Sequence, residues 1–326
     1  MSGKEKFGTV SIMAVYAFVF PGQGSQSVGM GQELAEAFPA ARSVFEEVDD
    51  ALGEKLSKII FEGPMESLTS TENAQPALMA VSMAVLRVLE QDGGLDLAGK
   101  VTLLAGHSLG EYSALAAGRA FGVAEAARLL RLRGQAMQKA VPAGEGGMAA
   151  LIGVTLAQAE DICTKASAKG DVEIANDNGG GQIVISGKSA GIDEAITIAK
   201  EMKIKRALKL PVSAPFHSSL MKPAEHVMAE ALAKTEIAAP IVPVIANVTA
   251  ERETDADTIR QNLVRQVTGR VRWRESVAAM VGMGVDTFVE IGAGKVLSGL
   301  VRRIDSEVTG LSVGTPADIE SFLKTL

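Results

Sequence analysis

Cysteine is nearly absent from this 326-residue chain; only Cys163 is present. No disulfide can form within the chain, and no cysteine metal cluster can be built. Histidine is almost as scarce, with His107, His217 and His226 only. A three-histidine zinc site would consume all of them, and their sequence contexts look unrelated. Basic charge is not in excess, since the formal net charge is -7. That argues against general nucleic-acid binding, which needs a basic surface, although one basic pocket remains open. Long apolar runs are missing too. "VSIMAVYAFVF", residues 10–20, is too short to span a bilayer and has no clean small-residue cleavage pattern for a signal peptide. Its end, Val15–Phe20, reads as a buried first strand, and the expected location is the cytoplasm.

Hydrophobic residues at 47% and charged residues at 22% describe a folded chain, not a disordered one. Its length calls for one large unit with an insert, or for two domains. The first part alternates strand and helix. "YAFVF" ends in the glycine-rich turn "PGQGSQSVGMG", and "QELAEAFPAARSVFEEVDDAL" has helical spacing. "TENAQPALMAVSMAVLRVLEQDG" is a second helix, and "VTLLA" is a short apolar run suited to a central parallel strand. "EYSALAAGRAF" and "VAEAARLLRLRGQAMQKA" are helical. The pattern is that of an α/β layered core. From "VPAGEGG" the texture changes to βαββαβ, the ferredoxin-like order. Residues 142–209 are therefore expected to form a small inserted subdomain, with 1–141 and 210–326 making the large domain. "VPVIANV" and "VDTFVEIG" supply later core strands.

"GHSLG", 106–110, fits the G-x-S-x-G nucleophile elbow, with a buried strand before it and a helix after it. The glycines permit a strained turn where neighbouring strands approach closely. Ser108 is thereby raised at the carboxyl edge of the sheet, and the next helix aims free N–H groups at it. Serine is a poor nucleophile without an adjacent base. His107 is next in sequence, but neighbouring side chains diverge at a sharp turn. His226 lies in a polar helical stretch that reads as solvated surface. His217, in "PVSAPFHSSLM", is flanked by apolar residues and stiffened by Pro211 and Pro215, and is the expected general base. A carboxylate or a backbone carbonyl could orient its ring, giving a triad or a dyad. Arg128, Arg131 and Arg133 share one predicted helix, and Arg133 is rotated about 200° from Arg131, so it faces a different side, either solvated surface or the interior. An inward arginine calls for an acid partner. "PGQGSQ" lacks the Gly-Lys-Ser/Thr ending of a phosphate loop, so an ATPase reading is poor.

Several segments together go further. "FVFPGQGSQ", "GHSLGEYSAL", "RLRGQAMQ", "NDNGGGQIVISG", "PVSAPFHSSLM" and "VRWRESV" with "FVEIGAGKVLSGL" resemble, in order, the malonyl-CoA:acyl carrier protein transacylases and related acyltransferase domains. The resemblance covers 16–326. It implies an α/β-hydrolase-like large domain with a ferredoxin-like small one, and ping-pong malonyl transfer that supplies fatty acid synthesis. Malonyl-CoA is then a substrate, holo acyl carrier protein and coenzyme A are partners, and no metal or bound organic cofactor is called for. Carried over by motif, Ser108 is the nucleophile and His217 the base. Gln23 and Leu109 offer oxyanion-hole N–H groups, and Arg133 takes the substrate carboxylate. Gln266 stands beside the histidine, and Phe216 marks malonyl over methylmalonyl. Two basic stretches, Arg260 to Arg274 and Lys203 to Lys209, could steer the acidic partners. A serine hydrolase or an inert carrier-binding module are the rival readings.

Overall fold

The computed structural model describes residues 14–212 and 214–326. Residues 10–13 of the N-terminal apolar stretch, and Ser213 of "PVSAPFHSSLM", lie outside the described residues. Among the described residues, ten strands form two sheets. In chain order they are β1 (Tyr16–Phe20), β2 (Val101–Gly106), β3 (Gly146–Ile152), β4 (Val172–Asp177), β5 (Gln182–Lys188), β6 (Arg206–Lys209), β7 (Val244–Ile245), β8 (Arg252–Glu253), β9 (Thr287–Ile291) and β10 (Thr309–Val313). The large sheet has the order β10-β9-β1-β2-β7-β8 and is parallel except for the short antiparallel β7–β8 pair.

β1 shows why the sheet is central. All five of its residues are buried, and alternate side chains point to opposite faces. Tyr16, Phe18 and Phe20 join a core with the helices Thr71–Gln91 and Val123–Lys139. Ala17 and Val19 join a second core with Trp273, Val277, Leu300 and Val301 on the other face. A strand covered on both sides has no polar alternation, which is why it reads as a continuous apolar run.

The small sheet is antiparallel with the order β4-β5-β3-β6, and β3 to β6 follow the βαββαβ sequence. One face packs Leu151, Ile183 and Ile185 under the helices Leu156–Ala166 and Ser189–Glu201. Met148 and Val184 point the other way, toward the main core. A single parallel bridge, Asn176 to Val271, ties this sheet to the large one's surroundings, and Arg274 binds Asp177 at 2.8 Å beside it. The fold is α/β, with a large mixed sheet and a smaller antiparallel one.

Two local expectations need correction. The long predicted helix after β1 is two helices, Gln32–Ala37 and Pro39–Leu52. Pro39 has no N–H to donate and pushes Phe38 into extended backbone, φ -126° and ψ 118°. "VPVIANV" contributes only Val244–Ile245 to the sheet; its Asn247 does other work, described next.

Candidate functional site

Chain geometry alone accounts for the serine corner. β2 ends at Gly106, and the helix Leu109–Ala117 begins one residue after Ser108. Ser108 itself adopts φ 54° and ψ -111°, a conformation that L-residues rarely occupy. The two glycines permit the close approach. A Cβ on Gly106 would lie 1.8 Å from the Gly110 carbonyl oxygen, and one on Gly110 would lie 2.2 Å from the Phe20 carbonyl oxygen. The turn is braced from β7's end. The Ser108 N–H donates to Asn247 Oδ1 at 2.8 Å, and Asn247 Nδ2 donates to the Gly106 carbonyl at 2.6 Å.

His217 arrives from the segment after β6, also with a positive φ of 55°. Its Nε2 lies 2.7 Å from Ser108 Oγ. Its Nδ1 lies 3.0 Å from the carbonyl oxygens of both Gln266 and Gly269. Carbonyls only accept, so Nδ1 carries the proton and Nε2 presents a lone pair to the serine hydroxyl. No carboxylate stands at Nδ1, so the arrangement is a dyad held by main-chain oxygens. The ring is 4% exposed. Burial first, then the positive charge of Arg133 and the nearby His107, pushes its pKa down to about 3. The imidazole is therefore neutral and able to accept a proton.

Arg133 lies on Val123–Lys139 and is 1% exposed. Nη1 donates to Gln75 Oε1 at 2.7 Å, while Nη2 donates to Gln266 Oε1 at 2.8 Å and to Ser108 Oγ at 3.1 Å. Its Nε is buried without a partner. The expected direct acid partner is not there. Neutral amides hold the guanidinium, and Glu111 contributes only at longer range. Burial lowers the Arg133 pKa. A cation stripped of water and given no counter-ion is poised to receive an anion. On the same helix Arg128 binds Glu125 and Arg131 binds Glu54 and Asn73, so the inward rotation of Arg133 separates it from its neighbours.

A cleft of about 370 Å³ opens over these groups. Phe216, Met148 and Val184 give it apolar walls, and Gln23, Leu109 and Asn178 line it as well. Leu109 opens its helix, so its N–H has no partner within that helix. The exposed Gln23 lies across from it on the loop after β1, its side chain reaching Thr71 at 3.3 Å. His107 turns away from Ser108 and bonds Asn178 Oδ1 at 2.8 Å, and His226 is exposed. Among the described residues no group of three or more His, Cys, Asp or Glu side chains could hold a metal ion. Among the same residues no helix is long and apolar enough to cross a membrane. A larger cleft of about 770 Å³ lies elsewhere, under Arg87, Arg119 and Phe121, and contains none of these groups.

The basic stretches fare differently. Arg260 bonds the Leu232 and Thr235 carbonyls, Arg272 and Arg270 face Glu275, and Arg274 pairs with Asp177. That stretch largely holds the protein together. Lys203, Lys205, Arg206 and Lys209 remain exposed on and before edge strand β6. Asn247, Gln75, Glu111 and Asn178 were not anticipated. Their amide and carboxyl groups have no periodicity or spacing that marks them, and only the folded contacts reveal them.

The chain matches the acyl transferase domain family over residues 17–313. It is 47% identical over 315 residues to the malonyl CoA-acyl carrier protein transacylase of Bacillus subtilis, covering 96% of this chain and 98% of that one. The crystal structure of an acyl-carrier-protein S-malonyltransferase from Bartonella henselae superposes with a TM-score of 0.93 at 58% identity, over 95% of this chain and 98% of that one. A malonyl-transacylase solved in complex with its type II PKS acyl-carrier protein gives a TM-score of 0.92 at 40% identity, over 96% of this chain and 100% of that one. A serine elbow, a neutral histidine and a buried arginine thus share one cleft in a chain that matches these proteins nearly end to end, and the chain belongs to the malonyl-CoA:acyl carrier protein transacylase family.

Proposed function

We propose that this protein moves a malonyl group from malonyl-CoA to the phosphopantetheine thiol of acyl carrier protein, through a malonyl ester on Ser108. The observation that carries the reading is the convergence on one hydroxyl. Ser108 Oγ lies 2.7 Å from His217 Nε2 and 3.1 Å from the buried Arg133 guanidinium. A hydrolase needs only the first contact. A buried cation beside the nucleophile favours an acyl group with its own negative charge.

In the first half-reaction Ser108 Oγ attacks the thioester carbon while His217 Nε2 takes the hydroxyl proton. The carbonyl oxygen becomes an oxyanion, and the N–H groups of Gln23 and Leu109 are assigned to hold it. The carbon–sulfur bond then breaks, and His217 returns its proton to the departing thiolate, releasing coenzyme A. In the second half-reaction the carrier's thiol gives its proton to His217 and attacks the ester. The carbon–oxygen bond breaks and Ser108 regains its proton. Two parallel hydrogen bonds from Arg133 would fix the malonyl carboxylate throughout. That negative charge also relieves the repulsion that depresses His217, so a correct substrate strengthens its own base. Gln266 orients the base through its main-chain oxygen, and Phe216 limits room beside the malonyl methylene.

Residues 142–209 are assigned as a subdomain that walls one side of the cleft. The exposed Lys203, Lys205, Arg206 and Lys209 are assigned as the basic surface met by the acidic partners. An isotope-exchange measurement tests the route. Labelled coenzyme A should enter malonyl-CoA without any carrier protein, because the first half-reaction is reversible and complete in itself. No exchange under conditions that support full turnover would exclude the covalent path.

A further inference from the structure

Two buried carboxyl groups behind the serine corner take no part in those steps. Glu111, in the first turn of Leu109–Ala117, is 0% exposed. Its Oε2 accepts from the Asn247 N–H at 3.1 Å and from Gln266 Nε2 at 2.7 Å, while its Oε1 is buried without a partner. Glu253 on β8 is buried as well. Its Oε2 accepts from Asn262 Nδ2 at 2.9 Å, and its Oε1 also lacks a partner. Neither acid forms an ion pair among the described residues. Two buried carboxylates that sense each other's charge and have no cation in contact repel each other, and a proton on one of them removes most of that cost.

We infer that Glu111 is a positioning residue for malonyl transfer: with Glu253 it retains a proton, and its Oε2 sets which way the Gln266 amide faces. Gln266 touches Ser108, His217 and Arg133 at once. Its nitrogen donates to Glu111 and, at 2.9 Å, to the Ser108 carbonyl. Its side-chain oxygen must then face Arg133 Nη2, at 2.8 Å. Its main-chain oxygen holds His217 Nδ1 at 3.0 Å. Turning the amide over would set NH₂ against the guanidinium, donor against donor. Glu111 and the Ser108 carbonyl together supply the acceptors that hold the amide against this turn, Glu111 at the shorter distance, and so keep Arg133 in place for the substrate carboxylate.

The ionisable groups around Glu111 are Glu253 from β8, Arg133 from Val123–Lys139 and Tyr112 beside it on its own helix, with His217 reached through Gln266. Burial, then the charge of Glu253, raises Glu111 to about 8, and burial raises Glu253 to about 7. An acid whose folded pKa exceeds its ordinary 4.5 stabilises the fold at low pH relative to high pH. That contribution is lost as pH rises from 4.5 through about 8.

The inference rests on the malonyl-transfer reading, and the test separates the two. Malonyl and acetyl loading of Ser108 is measured for wild type, Glu111→Leu and Glu111→Gln, with unfolding midpoints from about pH 5 to about pH 9. Glu111→Leu should lose about tenfold or more of the malonyl preference, through KM for malonyl-CoA more than through kcat, as one charge-assisted contact is misplaced. Glu111→Gln offers the same acceptor oxygen to Gln266 and has no proton to lose, so it should restore most of the preference. Its midpoint should also fall less than that of wild type as pH rises. Wild-type selectivity in Glu111→Leu, a Glu111→Gln as impaired as Glu111→Leu, or parallel midpoint curves would overturn the inference. If Glu111→Leu does not fold, the Glu111→Gln selectivity and midpoint curves decide. A wild type that never loads malonyl defeats the transfer reading instead, and the midpoint curves still judge the retained proton.

Discussion

Truncating Arg133 to alanine removes the one buried cation that a malonyl carboxylate can meet beside Ser108. Each charge-assisted hydrogen bond contributes about 1.5–3 kcal/mol. Two parallel bonds give about 3–6 kcal/mol, or roughly 10²- to 10⁴-fold in kcat/KM for malonyl-CoA. Water entering the space returns part of this, so the floor is about tenfold. Acetyl-CoA has no carboxylate and loses only the Nη2 contact to Ser108 Oγ, 3.1 Å long. The malonyl-to-acetyl ratio is therefore the readout, with kcat/KM measured for both thioesters. Truncation also strands the acceptor oxygens of Gln75 and Gln266, at about 1–3 kcal/mol of stability each. The unfolding midpoint must be recorded first, and Arg133→Lys serves as companion because it keeps the charge but loses the planar fork. A folded Arg133→Ala with an unchanged ratio would refute the carboxylate clamp.

The remaining predictions are narrower. Because kcat/KM reports the free enzyme and His217 titrates at about 3, the rate should hold steady from neutral pH into mild acid and show no descending limb near 6.5. In Arg133→Ala any acid limb should move upward, since one source of the depression is gone; a wild-type limb between about pH 6 and 7 contradicts the buried, neutral base. Phe216→Ser should shift the malonyl-to-methylmalonyl ratio toward methylmalonyl by about 1–3 kcal/mol, measured with both thioesters, and an unchanged ratio removes Phe216 from selectivity. Gly110→Ala drives a Cβ to 2.2 Å from the Phe20 carbonyl, so it should lower the unfolding midpoint and cost about 1–3 kcal/mol or more; a neutral effect would mean the elbow can relax.

What could be seen before folding was what obeys a local rule. β1 and three strands of the small sheet announced themselves by apolar runs and glycine-rich turns, β6 by its place in the βαββαβ order, and GxSxG by its setting between a strand and a helix. Helix geometry turns Arg133 away from Arg131, but only the family resemblance points it at the substrate. The break at Phe38 also follows a local rule, the restriction before proline, but continuous helical spacing on both sides masks it. The amide network was invisible for a different reason. Asn247 reaches Ser108 across 139 residues and Gln266 reaches Glu111 across 155. No period or motif encodes such pairs. The expectation of an acid against Arg133 failed similarly: two glutamine oxygens and the serine hydroxyl take three of its donors, and their convergence is a property of the fold only.

The central claim is a malonyl ester on one serine. Intact mass of the protein after mixing with malonyl-CoA tests it most directly. The expected result is a single malonyl adduct that is absent in Ser108→Ala and disappears when holo acyl carrier protein is added, with the malonyl group recovered on the carrier. An adduct that persists in Ser108→Ala, or carrier loading with no adduct on the wild type at any time, would contradict the account.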